Sequence, residues 1–306
     1  IISSLGFTTQ ENMRNIRQYQ SGIRRIDDTS LFHEPFMGAR IDAPRLEQAV
    51  REHQLQDYTR MEQLFILSLG EVIRQSGINL TQPDCGFIFS TTKGNIDHIG
   101  NEAAYLSRMA RRVTAYFGSP HEPIVVSNAC ISGVSALVTA SRLVRQGKYK
   151  HILITGGDLL TRFVITGFQS FKSVSPERCR PYDSKRDGLS LGEACGSVLI
   201  TSDSRLVKES QPIVIEGGAV TNDANHISGP SRTGDGLYYA IRQAMDETGL
   251  QPKDISFINT HGTATVYNDE MESKAVEWAG LEHTPLNSLK SYWGHTLGAS
   301  GIIEAI

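Results

Sequence analysis

Strand and helix patterns alternate along this chain, and the same order of them occurs twice. Apolar, β-branched runs separated by helical periodicities are typical of βαβ units, so the alternation predicts mostly parallel sheets with helices on both faces. In the first half the predicted strands are 85–90, 123–127, 151–155 and 195–201, and the predicted helices are 58–75, 98–117 and 131–146. In the second half the predicted strands are 212–217, 255–259 and 285–289, and the predicted helices are 236–248, 269–279 and one at His295. The sequence therefore predicts an α/β fold.

The two halves share the order β-α-β-α-β-α, with the helix at His295 in the slot of the helix at Cys130. We therefore predict two domains, residues 1–205 carrying Cys130 and residues 206–306 carrying His261 and His295. Compared with the first half, the second stops inside its third helix and lacks its last two strands. That difference amounts to roughly 60 residues, which is more than terminal fraying explains. We expect the sequence to be a fragment of a longer protein, truncated at its C-terminus.

Composition and charge argue against several function classes. The 306 residues are 39% hydrophobic and 21% charged, with a formal net charge of −3, which is typical of a soluble globular protein. No apolar run approaches the ~20 residues that span a bilayer, and the acidic balance gives no sign of a nucleic-acid partner. The four cysteines form no C-x-x-C pair and no metal-ligand spacing with histidine. We therefore predict reduced thiols in a cytoplasmic protein, with no membrane, nucleic-acid or metal partner.

A candidate nucleophile lies where the apolar run 123–127 ends. Cys130 follows this run directly, and small, helix-compatible residues follow Cys130. The pattern predicts a buried strand that delivers a thiol to the first turn of a helix. The unpaired N–H groups of a helix N-terminus favour the thiolate, so we expect the pKa of Cys130 to be lowered there.

Two histidines lie in matching contexts. His261 follows the apolar run 255–259 after one intervening residue. His295 lies between the run 285–289 and a Gly/Ala-rich segment. The carboxyl ends of parallel strands meet at one edge of a sheet, where ligand sites form. One cysteine and two histidines at such ends predict a single site.

Four motifs together resemble those of one family. The first reads Asn-Ala-Cys-x-x-Gly from Asn128, and the second reads His-Gly-Thr-x-Thr from His261. The third reads Lys-Ser-x-x-Gly-His-Thr-x-Gly-Ala-x-Gly-x-x-Glu from Lys290, and a fourth block begins Cys-Arg-Pro-Tyr-Asp at Cys179. They resemble the β-ketoacyl-[acyl-carrier-protein] synthases, specifically the elongating Cys-His-His branch (KAS I/II type) of the thiolase superfamily. The resemblance implies a thiolase-like fold of two pseudo-equivalent βαβαβαββ halves, stacked as a five-layer α-β-α-β-α sandwich.

The resemblance also implies catalytic roles in a decarboxylative Claisen condensation. Cys130 would carry the acyl chain, and His261 and His295 would stabilise the enolate formed when malonyl-ACP loses CO₂. Lys290 would support the neutral state of His295, and Glu304 would lie near Lys290 as structural support. No cofactor is implied, because the substrates travel on the phosphopantetheine of acyl carrier protein.

The resemblance further implies substrate-binding residues. Thr263 and Thr265 would contact the pantetheine arm, although strand-end turn hydroxyls are the alternative interpretation. Phe168 would line the acyl pocket, with a core aromatic as the equal alternative. Trp293 fills a position that is usually held by a smaller residue, which puts the standard acyl-chain preference in doubt.

The partners implied by the resemblance are acyl carrier protein and a second ketosynthase-like subunit. Acyl carrier protein is acidic, so a basic patch is expected, and the sequence offers two arginine and lysine clusters, at 108–112 and 142–150. Ordinary solvated helix faces explain these clusters equally well. The strand 123–127 would pair with its mate across a two-fold axis, in a homodimer or a heterodimer.

Two rival functions stay open from the sequence. A thiolase or an initiating synthase would act on CoA esters, although these relatives usually carry Cys-His-Cys or Cys-His-Asn sets. A chain-length-factor-like subunit would shape a heterodimer without forming an acyl-enzyme, although such subunits typically lose the cysteine that Cys130 retains. The acyl chain length and the pathway, whether fatty acid, polyene or polyketide, do not follow from the residues.

Overall fold

The computed structural model describes residues 1–207, 212–223, 225 and 229–306, whose strands form three separate sheets. The strands are β1 (Ile2–Ser3), β2 (Arg24–Ile26), β3 (Phe36–Ala39), β4 (Cys85–Ser90), β5 (Ile124–Val126), β6 (His151–Asp158), β7 (Leu191–Gly192), β8 (Ala194–Thr201), β9 (Ile258–Asn259) and β10 (Leu286–Asn287). The α-helices are α1 (Thr9–Arg17), α2 (Ala43–Glu52), α3 (Arg60–Ser76), α4 (Leu106–Tyr116), α5 (Ser132–Arg145), α6 (Arg162–Ser170), α7 (Asp235–Thr248), α8 (Val266–Trp278), α9 (Lys290–Trp293) and α10 (Ser300–Ile303).

The largest sheet has the strand order β1-β8-β6-β4-β5. Strand β4 pairs in parallel with β5 and β6, as the βαβ pattern predicts, while β8 runs antiparallel to both β6 and β1. Strand β5, which precedes Cys130, lies at the end of this order, and no strand of the described residues pairs with its outer edge.

Helices cover both faces of this sheet. Successive side chains of a strand point to opposite faces, so Phe87 and Phe89 pack with helices α3 and α4, while Ile88 faces α5. On β6, Leu153 packs on the same face of the sheet as Phe87 and Phe89. Ile154 packs on the same face as Ile88, where α10 also contacts the sheet. This burial on both faces explains why the runs are continuously apolar rather than alternating.

Helices α5 and α10 approach each other more closely than side chains normally permit. A Cβ on Gly133 would lie 2.9 Å from the Cα of Gly301, and a Cβ on Gly301 would lie 2.5 Å from the amide of Val134. Glycine at both positions therefore lets the segment after His295 pack directly against the helix after Cys130.

The second half differs from its prediction. Strands β9 and β10 pair in parallel over two residues each, but the predicted strand 212–217 is wrong, because this stretch is irregular. Its β-branched residues Ile213 and Val214 are exposed, and no strand of the described residues pairs with them. A strand is stable only where a neighbour satisfies its backbone hydrogen bonds.

Two predicted helices are shorter than expected. The helix predicted at 98–117 is divided into 3₁₀ turns at Ile96–His98 and Glu102–Ala104 before α4 begins at Leu106. The helix predicted at His295 starts only at Ser300, after a 3₁₀ turn. No helix in the described part of the chain combines the length and the apolar character that crossing a bilayer requires.

Candidate active site

A strained turn holds Cys130 at the start of α5. Ala129 has φ 46°, in the left-handed region that a residue with a Cβ rarely adopts. The Ser132 hydroxyl holds this turn from inside, since it accepts from the amide of Asn128 at 2.7 Å and donates to the carbonyl of Ala129 at 2.7 Å. Strain that is stabilised by the surroundings in this way is typical of functional sites.

The His295 side chain contacts the sulfur of Cys130. The distance from His295 Nε2 to Cys130 Sγ is 2.9 Å. The backbone of His295 is fixed by the small sheet of β2, β3 and β7, since its amide donates to the carbonyl of Ser190 at 2.7 Å and its carbonyl accepts from the amide of Gly192 at 3.0 Å. No pattern in the sequence predicts this sheet, because its strands have only two to four residues.

His261 completes the group that the sequence predicts. Its ring centroid is 5.1 Å from that of His295, with the two planes at 84°. The buried carboxylate of Glu272 accepts from the amides of His261 at 2.7 Å and Gly262 at 2.6 Å, so it fixes the turn that presents the imidazole. The structure thus brings Cys130, His261 and His295 together.

These three side chains lie within reach of a single metal ion. Their candidate ligand atoms all lie within 4.8 Å of one another. However, Cys130 Sγ and His295 Nε2 are 2.9 Å apart, whereas zinc at ~2.3 Å from sulfur and ~2.0 Å from nitrogen would separate tetrahedral ligands by about 3.5 Å. The arrangement therefore matches a hydrogen bond better than metal coordination.

Lys290 and Glu304 form a buried ion pair beside this group. Lys290 Nζ lies 2.7 Å from Glu304 Oε1, and the lysine is 1% exposed. Burial raises the pKa of Glu304, while the ammonium group of Lys290 opposes this rise. The contact expected between these residues is present.

Burial controls the protonation of the three central groups. It raises the pKa of Cys130 to about 11, and the charges of Lys290 and Lys93 oppose this rise only in part. It lowers the pKa of His261 to about 3, with a further contribution from Lys290. It also lowers the pKa of His295, as do His261 and Lys290. The direction is opposite to the lowered pKa that the sequence predicts for Cys130, because burial in protein disfavours the charged thiolate.

Three residues predicted to bind substrate lie beside two of these groups. Phe168 on α6 has its ring centroid 6.4 Å from that of His295, edge to face, and it also packs on a cluster that contains Leu297. Thr263 and Thr265 follow His261, and their hydroxyl oxygens are 2.9 Å apart. In this hydrogen bond one hydroxyl donates to the other, which suits turn hydroxyls. The accepting hydroxyl keeps its own proton and one lone pair for a ligand, and the donating hydroxyl keeps both of its lone pairs.

Asp158 is a supporting residue that the sequence reasoning missed. This buried carboxylate accepts from Thr91 Oγ1 at 2.9 Å, from the amides of Thr92 at 2.9 Å and Lys93 at 3.1 Å, and from the amide of Gly298 at 2.7 Å. It ties the segment after His295 to the end of β4. The signal in the sequence was an aspartate at the end of an apolar run, directly after two glycines at 156–157.

Trp293 has a structural position. Its ring is buried with Leu5 and Ala299, and its Nε1 donates to Asn12 Oδ1 at 2.9 Å. Trp293 therefore links the N-terminal segment to helix α9, which precedes His295.

The predicted basic clusters are largely paired with acidic groups. Arg108 pairs with Glu102. Further ion pairs join Arg111 to Glu122, Arg112 to Glu62, Arg145 to Glu247 and Lys150 to Asp203. These contacts favour the interpretation of both clusters as ordinary helix faces.

A cysteine at a strand-to-helix turn, next to the buried His295 and the half-buried His261, defines a ketosynthase-type site. Residues 2–205 match the family described as "Beta-ketoacyl synthase, N-terminal domain", and residues 213–306 match "Beta-ketoacyl synthase, C-terminal domain". The chain belongs to the β-ketoacyl synthase family, as its motifs indicated. The proposed division at 205/206 stays a prediction.

Curated relatives agree with this assignment. A 3-oxoacyl-[acyl-carrier-protein] synthase 2 from Staphylococcus aureus is 36% identical over 190 residues, which cover 58% of this chain and 47% of the relative. The enzyme of the same name from Synechocystis sp. is 35% identical over 215 residues, which cover 66% of this chain and 51% of the relative. The chain thus matches about half the length of these relatives.

Solved structures confirm the thiolase-like fold. The ishigamide ketosynthase/chain length factor is similar over 99% of this chain and 82% of that chain, with a TM-score of 0.88 and 25% identity. A ketosynthase in complex with its chain length factor from Xenorhabdus doucetiae is similar over 99% and 80%, with a TM-score of 0.84 and 26% identity.

Proposed function

We propose that the protein is a 3-oxoacyl-[acyl-carrier-protein] synthase, an acyltransferase that extends an acyl chain by decarboxylative Claisen condensation. The observation that carries the proposal is the contact of 2.9 Å between Cys130 Sγ and His295 Nε2, with the His261 ring adjacent. Family membership and the relatives named 3-oxoacyl-[acyl-carrier-protein] synthase 2 support it.

In the first step Cys130 takes the acyl group. The sulfur attacks the carbonyl of an acyl thioester, the bond from that carbonyl to the carrier's sulfur breaks, and the carrier leaves as a free thiol with the proton of Cys130. Because the pKa of Cys130 is raised to about 11, the thiol is protonated at neutral pH. The positive charge of Lys290 favours the thiolate when this proton leaves. The amide of Cys130 itself lies at the helix start, where it is suited to hold the oxyanion.

In the second step the malonyl thioester loses CO₂. The bond between the carboxylate and the α-carbon breaks, and its electron pair moves into an enolate whose oxygen accepts hydrogen bonds from His261 and His295. Both imidazoles are neutral at pH 7, because burial lowers their pKa values. Preorganised donors of this type contribute ~3–4 kcal/mol each to transition-state stabilisation.

In the third step the α-carbon of the enolate attacks the carbonyl of the acyl group on Cys130. The new carbon–carbon bond forms and the sulfur of Cys130 leaves as a thiolate, while the extended 3-oxoacyl chain stays on the carrier. The thiolate then takes up one proton from solvent, which balances the loss of the malonyl carboxylate as CO₂. Phe168 beside His295 is in position to contact the acyl chain, and Thr263 and Thr265 are suited to bind the pantetheine arm. No bound cofactor or metal enters these steps.

The proposed partners are acyl carrier protein and a second subunit, in the cytoplasm and without nucleic acid or membrane. The solved relatives include ketosynthases assembled with a chain length factor, which supports a heterodimer. A homodimer is the alternative assembly. The retained Cys130 favours the catalytic role for this chain over that of the non-catalytic partner.

Intact mass spectrometry after incubation with an acyl-ACP tests the proposal. We expect the mass to rise by one acyl group, and we expect Cys130→Ala to show no rise. A subsequent addition of malonyl-ACP should discharge the acyl group as a 3-oxoacyl-ACP. A correctly folded wild-type protein that gains no mass would overturn the proposal in favour of the chain-length-factor role, and acylation by acetyl-CoA in preference to acyl-ACP would favour an initiating enzyme.

A further inference from the structure

The ring of His295 has a hydrogen-bonding partner at each of its two nitrogens. Nε2 lies 2.9 Å from Cys130 Sγ, and Nδ1 lies 3.2 Å from Ser300 Oγ. A neutral imidazole carries one proton, so one nitrogen donates and the other accepts. The thiol and the hydroxyl can each play either role, so the next partner along the chain of hydrogen bonds decides the tautomer.

That next partner is Thr296. Its Oγ1 lies 3.1 Å from Ser300 Oγ, and both side chains are buried, at 0% and 2% exposure. Within the described residues, Ser300 Oγ is the one polar group that contacts the Thr296 hydroxyl. A buried hydroxyl proton without an acceptor is costly, so Thr296 donates to Ser300.

The direction of this first hydrogen bond fixes the second. When Thr296 donates to Ser300, the proton of Ser300 is free to be donated to Nδ1 of His295, and each hydroxyl proton has an acceptor. In the reverse order Nδ1–H donates to Ser300 and Ser300 donates to Thr296, which leaves the proton of Thr296 without an acceptor. The first order is therefore the more stable one.

We infer that Ser300, oriented by Thr296, is a positioning residue that holds neutral His295 as its Nε2–H tautomer. The proton then lies on the nitrogen that faces Cys130, where a donor to the enolate oxygen is needed. This inference deepens the proposed function and rests on it for its catalytic consequence. The tautomer itself is a property of the resting protein.

Removal of the Ser300 hydroxyl reverses the balance. In Ser300→Ala, Nδ1 loses its donor, while the thiol of Cys130 still lies 2.9 Å from Nε2. The thiol then donates to Nε2, and the ring proton moves to Nδ1. Loss of one oxyanion donor reduces kcat by ~10²–10³, so we expect kcat for malonyl decarboxylation to fall at least about tenfold, with KM little changed.

Nuclear magnetic resonance of the ¹⁵N-histidine-labelled protein tests the tautomer directly. The ring nitrogens of His295 are assigned by their absence in His295→Gln. We expect the unprotonated nitrogen to be Nδ1 in the wild type and in Ser300→Thr, which keeps the hydroxyl, and Nε2 in Ser300→Ala. The matched control is Ser141→Ala. It removes the hydroxyl of a different buried serine, which lies on α5, and it should leave the His295 tautomer unchanged.

The outcomes separate this inference from the proposed function. An unprotonated Nε2 in the wild type, or the same tautomer in the wild type and Ser300→Ala, would overturn the inference. A wild-type protein that shows the expected tautomer but forms no acyl-enzyme would contradict the proposed function and leave the tautomer assignment standing. A switched tautomer with unchanged decarboxylation would refute the catalytic consequence.

Discussion

The buried ion pair of Lys290 and Glu304 predicts a measurable loss of stability when its negative charge is removed. Glu304→Gln keeps the size of the side chain and one acceptor oxygen, so it isolates the charge. The same substitution at Glu270 provides a matched control, because Glu270 and Lys274 form a pair with the same separation of 2.7 Å on an exposed face of α8.

The expected magnitudes differ because the two lysines differ in burial. Lys290 is 1% exposed in its side chain, whereas Lys274 is 39% exposed. Breaking one partner of a buried pair costs ~3–5 kcal/mol, and an exposed pair four residues apart on a helix contributes ~0.3–0.5 kcal/mol. We therefore expect Glu304→Gln to lower the free energy of unfolding by about 3 kcal/mol, the lower end because the amide oxygen remains an acceptor. Glu270→Gln should lower it by less than about 0.5 kcal/mol.

Urea unfolding at neutral pH measures both changes. The double variant Lys290→Met, Glu304→Gln should recover most of the loss, since it removes the unpaired buried charge rather than any packing. Equal effects of Glu304→Gln and Glu270→Gln would refute the reasoning. A double variant less stable than Glu304→Gln would refute it as well, because packing and not charge would then explain the loss.

Two further perturbations test the chemistry and the packing of the site. The raised pKa of Cys130 predicts that alkylation by iodoacetamide is slow at neutral pH and speeds up about tenfold per pH unit from about pH 7 to about pH 10; a rate that is already constant above pH 7 would show an acidic thiol instead. Gly133→Ala should destabilise the protein by about 1–3 kcal/mol, because its Cβ would lie 2.9 Å from the Cα of Gly301. Gly167→Ala is the control in urea unfolding, since its Cβ meets nothing within 4 Å and helix propensity makes it neutral or stabilising by up to ~1 kcal/mol; equal losses would contradict the packing argument.

The sequence predicted correctly those strands and turns that depend only on the residues of their own segment. Strand β4 has the predicted bounds at Cys85–Ser90, and the turn at Cys130 lies between β5 and α5 as expected. The run at 212–217 carries the same β-branched signal and forms no strand, because a strand depends on a neighbour elsewhere in the chain. Local sequence contains no information about whether that neighbour is present.

Contacts between distant segments account for the parts of the site that were missed. Asp158 binds the amide of Gly298, which lies 140 residues away, and the backbone of His295 is held by Ser190. In both hydrogen bonds the donor is a backbone amide. Almost every residue type has such an amide, so no residue in the sequence marks which amide will take part. The motifs did locate Cys130 and the two histidines, because chemistry restricts which residue types serve there.

The protonation of the site follows from one arrangement of burial and charge. Burial favours the neutral form of every group, so it raises the pKa of Cys130 and lowers those of His261 and His295. The positive charge of Lys290 opposes burial at the thiol but reinforces it at both imidazoles. The ion pair of a thiolate and an imidazolium, as in cysteine hydrolases, is therefore disfavoured, because both histidines resist protonation here. The cation of Lys290 instead favours a thiolate next to neutral imidazoles, which is the combination that the proposed acyl transfer and decarboxylation would require.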